Sequence, residues 1–156
     1  MYSVLFVCTA NRFRSPIAES VFRELLIKQK IEKQWEVGSA GTWAQTGFPT
    51  VPSIEWMREN LGLDVSGHQS KPISKEMVTN YDLVLVMEAN QKEALIVEFP
   101  EENRKIFMLT ELSDSPVYDI PDPVTQTDED YLSVAKEIVK LVEKNFQEIC
   151  QRTAKI

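Results

Sequence analysis

The sequence has little cysteine, glycine or histidine, and each shortage excludes a class of protein. The 156 residues include two cysteines, five glycines and one histidine. Two cysteines form at most one bridge, which excludes a disulfide framework, and a lone histidine without a cysteine cluster argues against a metal site. A nucleotide-binding domain would need a glycine-rich loop, and none is present. We therefore expect neither a metal nor another cofactor.

Basic charge and long apolar runs are also scarce. The net charge is −7, so the sequence does not predict the basic face that nucleic-acid or membrane-surface binding requires. No apolar run approaches the ~20 residues of a spanning helix, and the apolar segment 1–7 is too short for a signal sequence. We expect a cytoplasmic protein whose thiols stay reduced.

Apolar runs typical of strands alternate with helical patterns along a chain whose length fits one domain, 1–156. Strands are predicted at 4–7, 35–38, 83–87 and 106–108. Helices are predicted after Ser15-Pro16, from a cap at Ser53 to Gly62, at 89–97, and from a Thr127–Asp130 capping box through Phe146 as one long amphipathic helix. This alternation predicts an α/β fold with a parallel sheet, helices on both faces, and ligands at the carboxyl ends of the strands.

A candidate anion-binding loop follows the first predicted strand. Its residues are Cys8-Thr9-Ala10-Asn11-Arg12-Phe13-Arg14-Ser15. Successive backbone N–H groups of such a loop can surround an anion, and the helix beginning near Ser15 adds its positive dipole end. Arg14 supplies a planar fork that matches two phosphate oxygens, and the positive surroundings favour Cys8 as a nucleophilic thiolate. The alternative is a core cysteine at a strand end; the arginine spacing and the Ser15-Pro16 helix start favour the loop.

These residues resemble the low-molecular-weight protein tyrosine phosphatase family over essentially the full chain. The resembling segments are Val4-Leu5-Phe6-Val7-Cys8, Asn11, Arg14-Ser15-Pro16-Ile17-Ala18-Glu19, Ser39-Ala40-Gly41-Thr42, Gly67-His68, Val86-Met87 and Ile120-Pro121-Asp122-Pro123. The resemblance implies a single domain with a four-stranded parallel sheet in the order 2-1-3-4. It also implies a phosphatase that forms a phosphocysteine at Cys8.

A phosphocysteine mechanism needs a proton donor for the leaving oxygen. Asp122 precedes a proline that limits its backbone freedom, and the resemblance gives it the role of general acid and then of general base. The alternative is an ordinary turn aspartate, and Asp114 and Asp119 are nearby competitors without a following proline.

The resemblance also implies a hydrogen-bonded network around the loop. It assigns this network to Asn11, Ser15, Ser39 and His68, with Asn11 in the left-handed conformation that asparagine tolerates well. Ser15 is expected to donate to the departing thiolate. For His68, a catalytic or metal-binding role is the alternative interpretation.

Three positions depart from the family pattern. Phe13 stands where many members have a second cysteine, which removes disulfide protection of Cys8, since Cys150 is distant in sequence. Arg12 replaces a small or aliphatic residue at the pocket rim and is expected either to face solvent or to favour anionic substrates. Val124 replaces an aromatic residue after Asp-Pro, so Trp43 becomes the candidate aromatic wall.

The expected substrate is a phosphorylated protein, with phosphotyrosine first, or a small phosphate ester. Phosphate and vanadate are expected to inhibit. A phosphate- or phosphopeptide-binding module without turnover is the alternative, against which the joint presence of Cys8, Arg14 and Asp122 argues. An arsenate reductase shares this loop type, but its thiol relay needs further cysteines close to the site.

Overall fold

Four short strands form one parallel sheet. The computed structural model describes residues 1–114, 116–124 and 126–155. The strands are β1 (Tyr2–Cys8), β2 (Trp35–Gly41), β3 (Leu83–Val86) and β4 (Ile106–Met108). Their order in the sheet is β2-β1-β3-β4, with every neighbouring pair parallel, which confirms the expected topology.

Helices connect the strands and cover both faces of the sheet. They are α1 (Arg14–Lys28), α2 (Ile54–Leu61), α3 (Lys75–Asn80), α4 (Ala89–Glu98), α5 (Asp128–Lys144) and α6 (Phe146–Lys155), with 3₁₀ turns at Glu32–Gln34, Pro100–Lys105 and Leu109–Leu112. No helix in the described ranges combines the length and the apolar character needed to cross a bilayer.

The core lies in two layers because successive side chains of β1 point to opposite faces. Phe6 and Cys8 belong to the larger cluster, which α1, α5 and α6 cover, whereas Leu5 and Val7 belong to a smaller cluster beneath α3 and α4. Burial on both faces explains why β1 contains the continuous apolar run Val4–Val7. Cys8 is the last residue of β1 and therefore lies at the carboxyl ends of the parallel strands. Because β1 is a central strand, Cys8 lies in the middle of that end of the sheet.

The structure corrects three predicted boundaries. The second strand does not end at Gly38; it continues to Gly41, because residues 39–41 pair with the last residues of β1. The first helix begins at Arg14 rather than after a Ser15 cap, since the Ser15 hydroxyl is used by the loop. The final helix divides at Asn145, a buried residue whose side-chain amide donates to the Leu141 carbonyl and to Ser113.

The other helix ends follow their capping residues. Ser53 accepts from the backbone N–H of Trp56, Gly62 ends α2 in the left-handed region, and Thr127 and Asp130 form the expected capping box at α5. The short helix α3 was not predicted from the sequence.

Candidate active site

The loop of residues 9–13 joins the carboxyl end of β1 to the amino end of α1. Cys8 is buried at its entrance, and its Sγ lies 3.0 Å from the Ser15 Oγ. Among the described residues, no backbone carbonyl accepts from the N–H groups of residues 9–13. These donors and the helix terminus are therefore free to bind an anion in front of the thiol.

The Asn11 side chain fixes the shape of the loop from behind. Asn11 has φ of 57°, and its Nδ2 donates to Ser15 Oγ at 2.9 Å and to Ser39 Oγ at 3.0 Å. Its Oδ1 accepts from the Lys71 N–H at 3.0 Å, and its carbonyl accepts from His68 Nε2 at 2.6 Å. The four residues expected in the network thus lie together, and the His68 ring contacts the loop backbone.

A carboxylate that the sequence did not single out extends this network. Glu19 Oε2 accepts from the Ser39 hydroxyl at 2.5 Å, which leaves the Ser39 oxygen to accept from Asn11. Arg23 donates to the same carboxylate at 2.9 Å. A cavity of about 540 Å³ opens beside Glu19, but Cys8 does not line it, so it is separate from the loop.

Arg14 is the most constrained cation of the site. Its side chain is 1% exposed, and Nη1 donates to the Ile120 carbonyl at 2.8 Å and lies 3.1 Å from Glu88 Oε2. Its Nη2 lies 3.6 Å from Asp122 Oδ2. These contacts hold the guanidinium in one orientation, which bidentate binding of phosphate requires.

Gln91 links Glu88, an ion-pair partner of Arg14, to the loop. Its Nε2 donates to Thr9 Oγ1 at 3.0 Å and to Glu88 Oε2 at 3.1 Å, and its Oε1 accepts from the N–H groups of Met87 and Glu88. Sequence reasoning missed Glu88 and Gln91. Their spacing as a capping box at the start of α4 was the available signal.

A cavity of about 180 Å³ brings the three expected catalytic residues together. Asp122 is about one-third exposed, and its Oδ1 accepts from the Val124 N–H at 3.1 Å. The competing carboxylate of Asp119 accepts instead from the Ala89 N–H at 2.7 Å, at the start of α4. The cavity lining is Cys8, Ala10, Arg12, Phe13, Arg14, Val51, Asp122, Val124 and Tyr131.

Two of the three expected wall residues line the cavity, and the third does not. Arg12 and Val124 line the cavity, whereas the Trp43 side chain is 85% exposed and does not line it. The backbone N–H of Trp43 donates to the Thr9 carbonyl at 2.9 Å. Trp43 therefore supports the loop through its backbone while its ring lies in solvent.

Phe13 and Tyr131 supply the aromatic surface in its place. Both line the cavity, and their rings meet edge to face with centroids 4.9 Å apart. Burial, with the nearby charges of Asp122 and Asp128, raises the pKa of the Tyr131 phenol, so it stays neutral. Tyr131 lies in the first turns of α5, the helix predicted from the Thr127–Asp130 capping box, and its place in the cavity lining was not predicted.

The second cysteine lies elsewhere in the fold. Cys150 is a free thiol on α6 that packs against the larger core cluster, and burial raises its pKa. Within the described part of the chain, no group of three or more histidine, cysteine, aspartate or glutamate side chains is arranged to hold a metal ion.

Comparisons with known proteins identify the family of this chain. The family model described as low molecular weight phosphotyrosine protein phosphatase matches residues 3–155. A protein-arginine-phosphatase of Geobacillus stearothermophilus is 30% identical over 143 residues, which cover 92% of this chain and 93% of the relative. The crystal structure of a low molecular weight protein tyrosine phosphatase from T. tengcongensis superposes with a TM-score of 0.86 at 34% identity, covering 95% of this chain and 99% of that one.

A further solved structure contains a phosphorylated active-site residue. It is a mutant of the YwlE arginine phosphatase with a phosphorylated active-site serine; it is 27% identical, with a TM-score of 0.83 and coverage of 96% and 94% of the two chains. With the family model matching nearly the whole sequence, this chain belongs to the low molecular weight protein tyrosine phosphatase family.

Proposed function

We propose that this protein hydrolyses phosphate monoesters through a phosphocysteine at Cys8, and that its substrate is phosphotyrosine in proteins. The observation that carries the proposal is the convergence of Cys8, Arg14 and Asp122 on one cavity above a loop of free N–H groups. A nucleophile, a phosphate clamp and a proton donor are what phosphoryl transfer to a thiol requires.

In the first step, the Cys8 thiolate attacks phosphorus. The S–P bond forms while the P–O bond to the leaving group breaks, and Asp122 donates its proton to the departing oxygen. The loop N–H groups and the Arg14 guanidinium bind the equatorial oxygens, where negative charge is spread in the transition state.

In the second step, water attacks the phosphocysteine. The ionised Asp122 accepts a proton from this water, a new P–O bond forms, and the S–P bond breaks. The electron pair returns to sulfur, where Ser15 Oγ, 3.0 Å away, can donate to the thiolate. Inorganic phosphate leaves, and Asp122 is protonated again for the next cycle.

Phosphotyrosine is favoured over phosphoarginine by the cavity wall. The relatives include enzymes named for each substrate. In this chain, Phe13 and Tyr131 offer aromatic surface to a phenyl ring, and the Arg12 guanidinium opposes a cationic substrate. Both features favour an aryl phosphate.

Hydrolysis of 4-nitrophenyl phosphate tests the phosphatase proposal directly. We expect turnover that is insensitive to chelator, inhibited competitively by phosphate and vanadate, lost in Cys8→Ser and severely impaired in Arg14→Lys, since an ammonium cannot form the bidentate fork. Cys150→Ser is the matched control and should keep activity. Full activity of a folded Cys8→Ser protein would refute the mechanism, and phosphate binding without any turnover would favour the alternative of a non-catalytic module.

We further propose a cytoplasmic location, because the described cysteines are free and a reducing compartment would preserve the nucleophile. Recovery of the native protein with a soluble cytoplasmic marker after cell fractionation would support this location, and recovery with another compartment would contradict it.

A further inference from the structure

Arg12 is held in place at the rim of the cavity without an acidic partner. Its Nε donates to the Pro49 carbonyl at 3.0 Å, and its guanidinium carbon lies 5.0 Å from the centroid of the Phe48 ring. Its carbonyl accepts from the Val51 N–H at 2.7 Å, which ties the loop to the same segment. The cation is therefore positioned by one hydrogen bond and one cation–π contact.

The charge of Arg12 is uncompensated within the described residues. Arg14, Arg23 and Arg152 form ion pairs with carboxylates, whereas no described carboxylate pairs with Arg12. The same holds for Arg58 and Arg104, but these two are exposed and do not line the cavity. Neither of the Arg12 Nη groups donates a hydrogen bond to any residue that the structure describes. A fixed cation with two free donor groups, in a chain of net charge −7, lies beside the nucleophile.

The size of the cavity decides which part of a substrate reaches this cation. At about 180 Å³ the cavity is smaller than the roughly 300–1,000 Å³ of pockets that enclose a whole small ligand. It accommodates the phosphorylated side chain, whose phosphate is bound by the loop and Arg14. An anion that meets Arg12 at the rim must therefore belong to a neighbouring residue of the substrate.

We propose that Arg12 binds a carboxylate next to the phosphotyrosine, so that the enzyme selects phosphotyrosine peptides with flanking acidic residues. This inference rests on the proposed phosphatase function and adds a substrate preference to it. A charge-assisted hydrogen bond to a partly exposed side chain contributes modestly, so we expect about a three- to tenfold preference in kcat/KM.

The test compares two phosphotyrosine peptides that differ only in flanking glutamate or glutamine. The wild-type protein should prefer the glutamate peptide, and Arg12→Gln should bring the ratio of the two kcat/KM values to about one. Arg12→Lys should keep part of the preference. Arg104→Gln is the matched control: it removes the same charge at an exposed residue just before β4, at the opposite edge of the sheet from Cys8, and should keep the full ratio.

The ratio is the decisive readout because Arg12 also belongs to the phosphate loop, where any substitution can lower absolute rates. Salt provides a second test on the unmodified protein, since raising the ionic strength from about 0.01 to 1 M shortens the screening length from about 30 to 3 Å and should reduce the preference. The proposal is overturned if Arg12→Gln keeps the wild-type ratio of the two kcat/KM values. It is also overturned if the wild-type preference does not change with salt concentration.

Hydrolysis of 4-nitrophenyl phosphate, which carries no second anion, shows whether a negative result concerns only the Arg12 proposal or the proposed phosphatase function as well. If the wild-type protein hydrolyses it but does not distinguish the two peptides, only the Arg12 proposal fails. If the wild-type protein hydrolyses neither the aryl phosphate nor the peptides, the phosphatase proposal fails with it.

Discussion

Substituting Asp122 by asparagine should slow hydrolysis more strongly as the pKa of the leaving group increases. The asparagine Oδ1 can still accept from the Val124 N–H, as the carboxylate does at 3.1 Å, so the loop should keep its shape. What is lost is the proton, and general acid catalysis is typically worth about 10²–10⁴-fold. We expect a loss of that size for phenyl phosphate, whose leaving phenol has a pKa of about 10, like tyrosine.

The assay is a series of aryl phosphates with leaving groups of increasing acidity. For 4-nitrophenyl phosphate, whose leaving group departs without much protonic help, we expect a loss in kcat/KM of no more than about tenfold, because little proton transfer is needed. The dependence of log kcat/KM on leaving-group pKa should therefore be steep in Asp122→Asn and shallow in the wild-type protein. Hydrolysis of the phosphocysteine should also slow, because the same carboxylate activates water.

Asp119→Asn is the matched control for this series. Asp119 lies three residues away, and its carboxylate accepts from the Ala89 N–H at 2.7 Å, a bond that an amide oxygen can replace. Its leaving-group dependence should match that of the wild-type protein. A steeper dependence in Asp119→Asn than in Asp122→Asn would show that Asp119 is the proton donor and that the assignment of Asp122 is wrong.

Other predictions concern the loop and its supports. Glu88→Ala removes a carboxylate 3.1 Å from the clamp guanidinium and should lower kcat/KM by about tenfold, with kcat affected more than KM; unchanged kinetics would contradict a positioning role. Gly41→Ala would place a Cβ 2.4 Å from the Thr9 carbonyl oxygen, so the loop must shift, and activity should fall by about 100-fold while circular dichroism stays native. Mild peroxide should inactivate the protein by oxidising Cys8, with poor recovery by thiol; mass spectrometry showing a Cys8–Cys150 disulfide as the main product would contradict this.

The sheet and the phosphate loop could be predicted because their signals are local. The run Val4–Val7 is apolar on both faces, and Cys8 and Arg14 belong to one continuous segment. Asn11, Ser39 and His68 are far apart in sequence, so only the family resemblance connected them. The structure places them within hydrogen-bonding distance of one loop.

The surroundings of the site were harder to predict because they depend on tertiary contacts. Glu88 and Gln91 have an ordinary capping pattern, and their approach to the loop follows from the pairing of β1 with β3. Trp43 was misplaced because the direction of its side chain is set by the fold after β2, where its N–H donates to the Thr9 carbonyl and its ring is left exposed. Tyr131 fits helical periodicity equally well as a core residue or as a cavity residue.

The central claim is that Cys8 carries the phosphoryl group during turnover. Asp122→Asn should make this species accumulate, because an activated aryl phosphate still phosphorylates the thiol while water attack is slow. Rapid acid quenching of that variant, followed by mass spectrometry of its peptides, should find one phosphoryl group on the peptide containing Cys8. Burst release of nitrophenol without phosphate on Cys8, or with phosphate on another residue, would contradict the account.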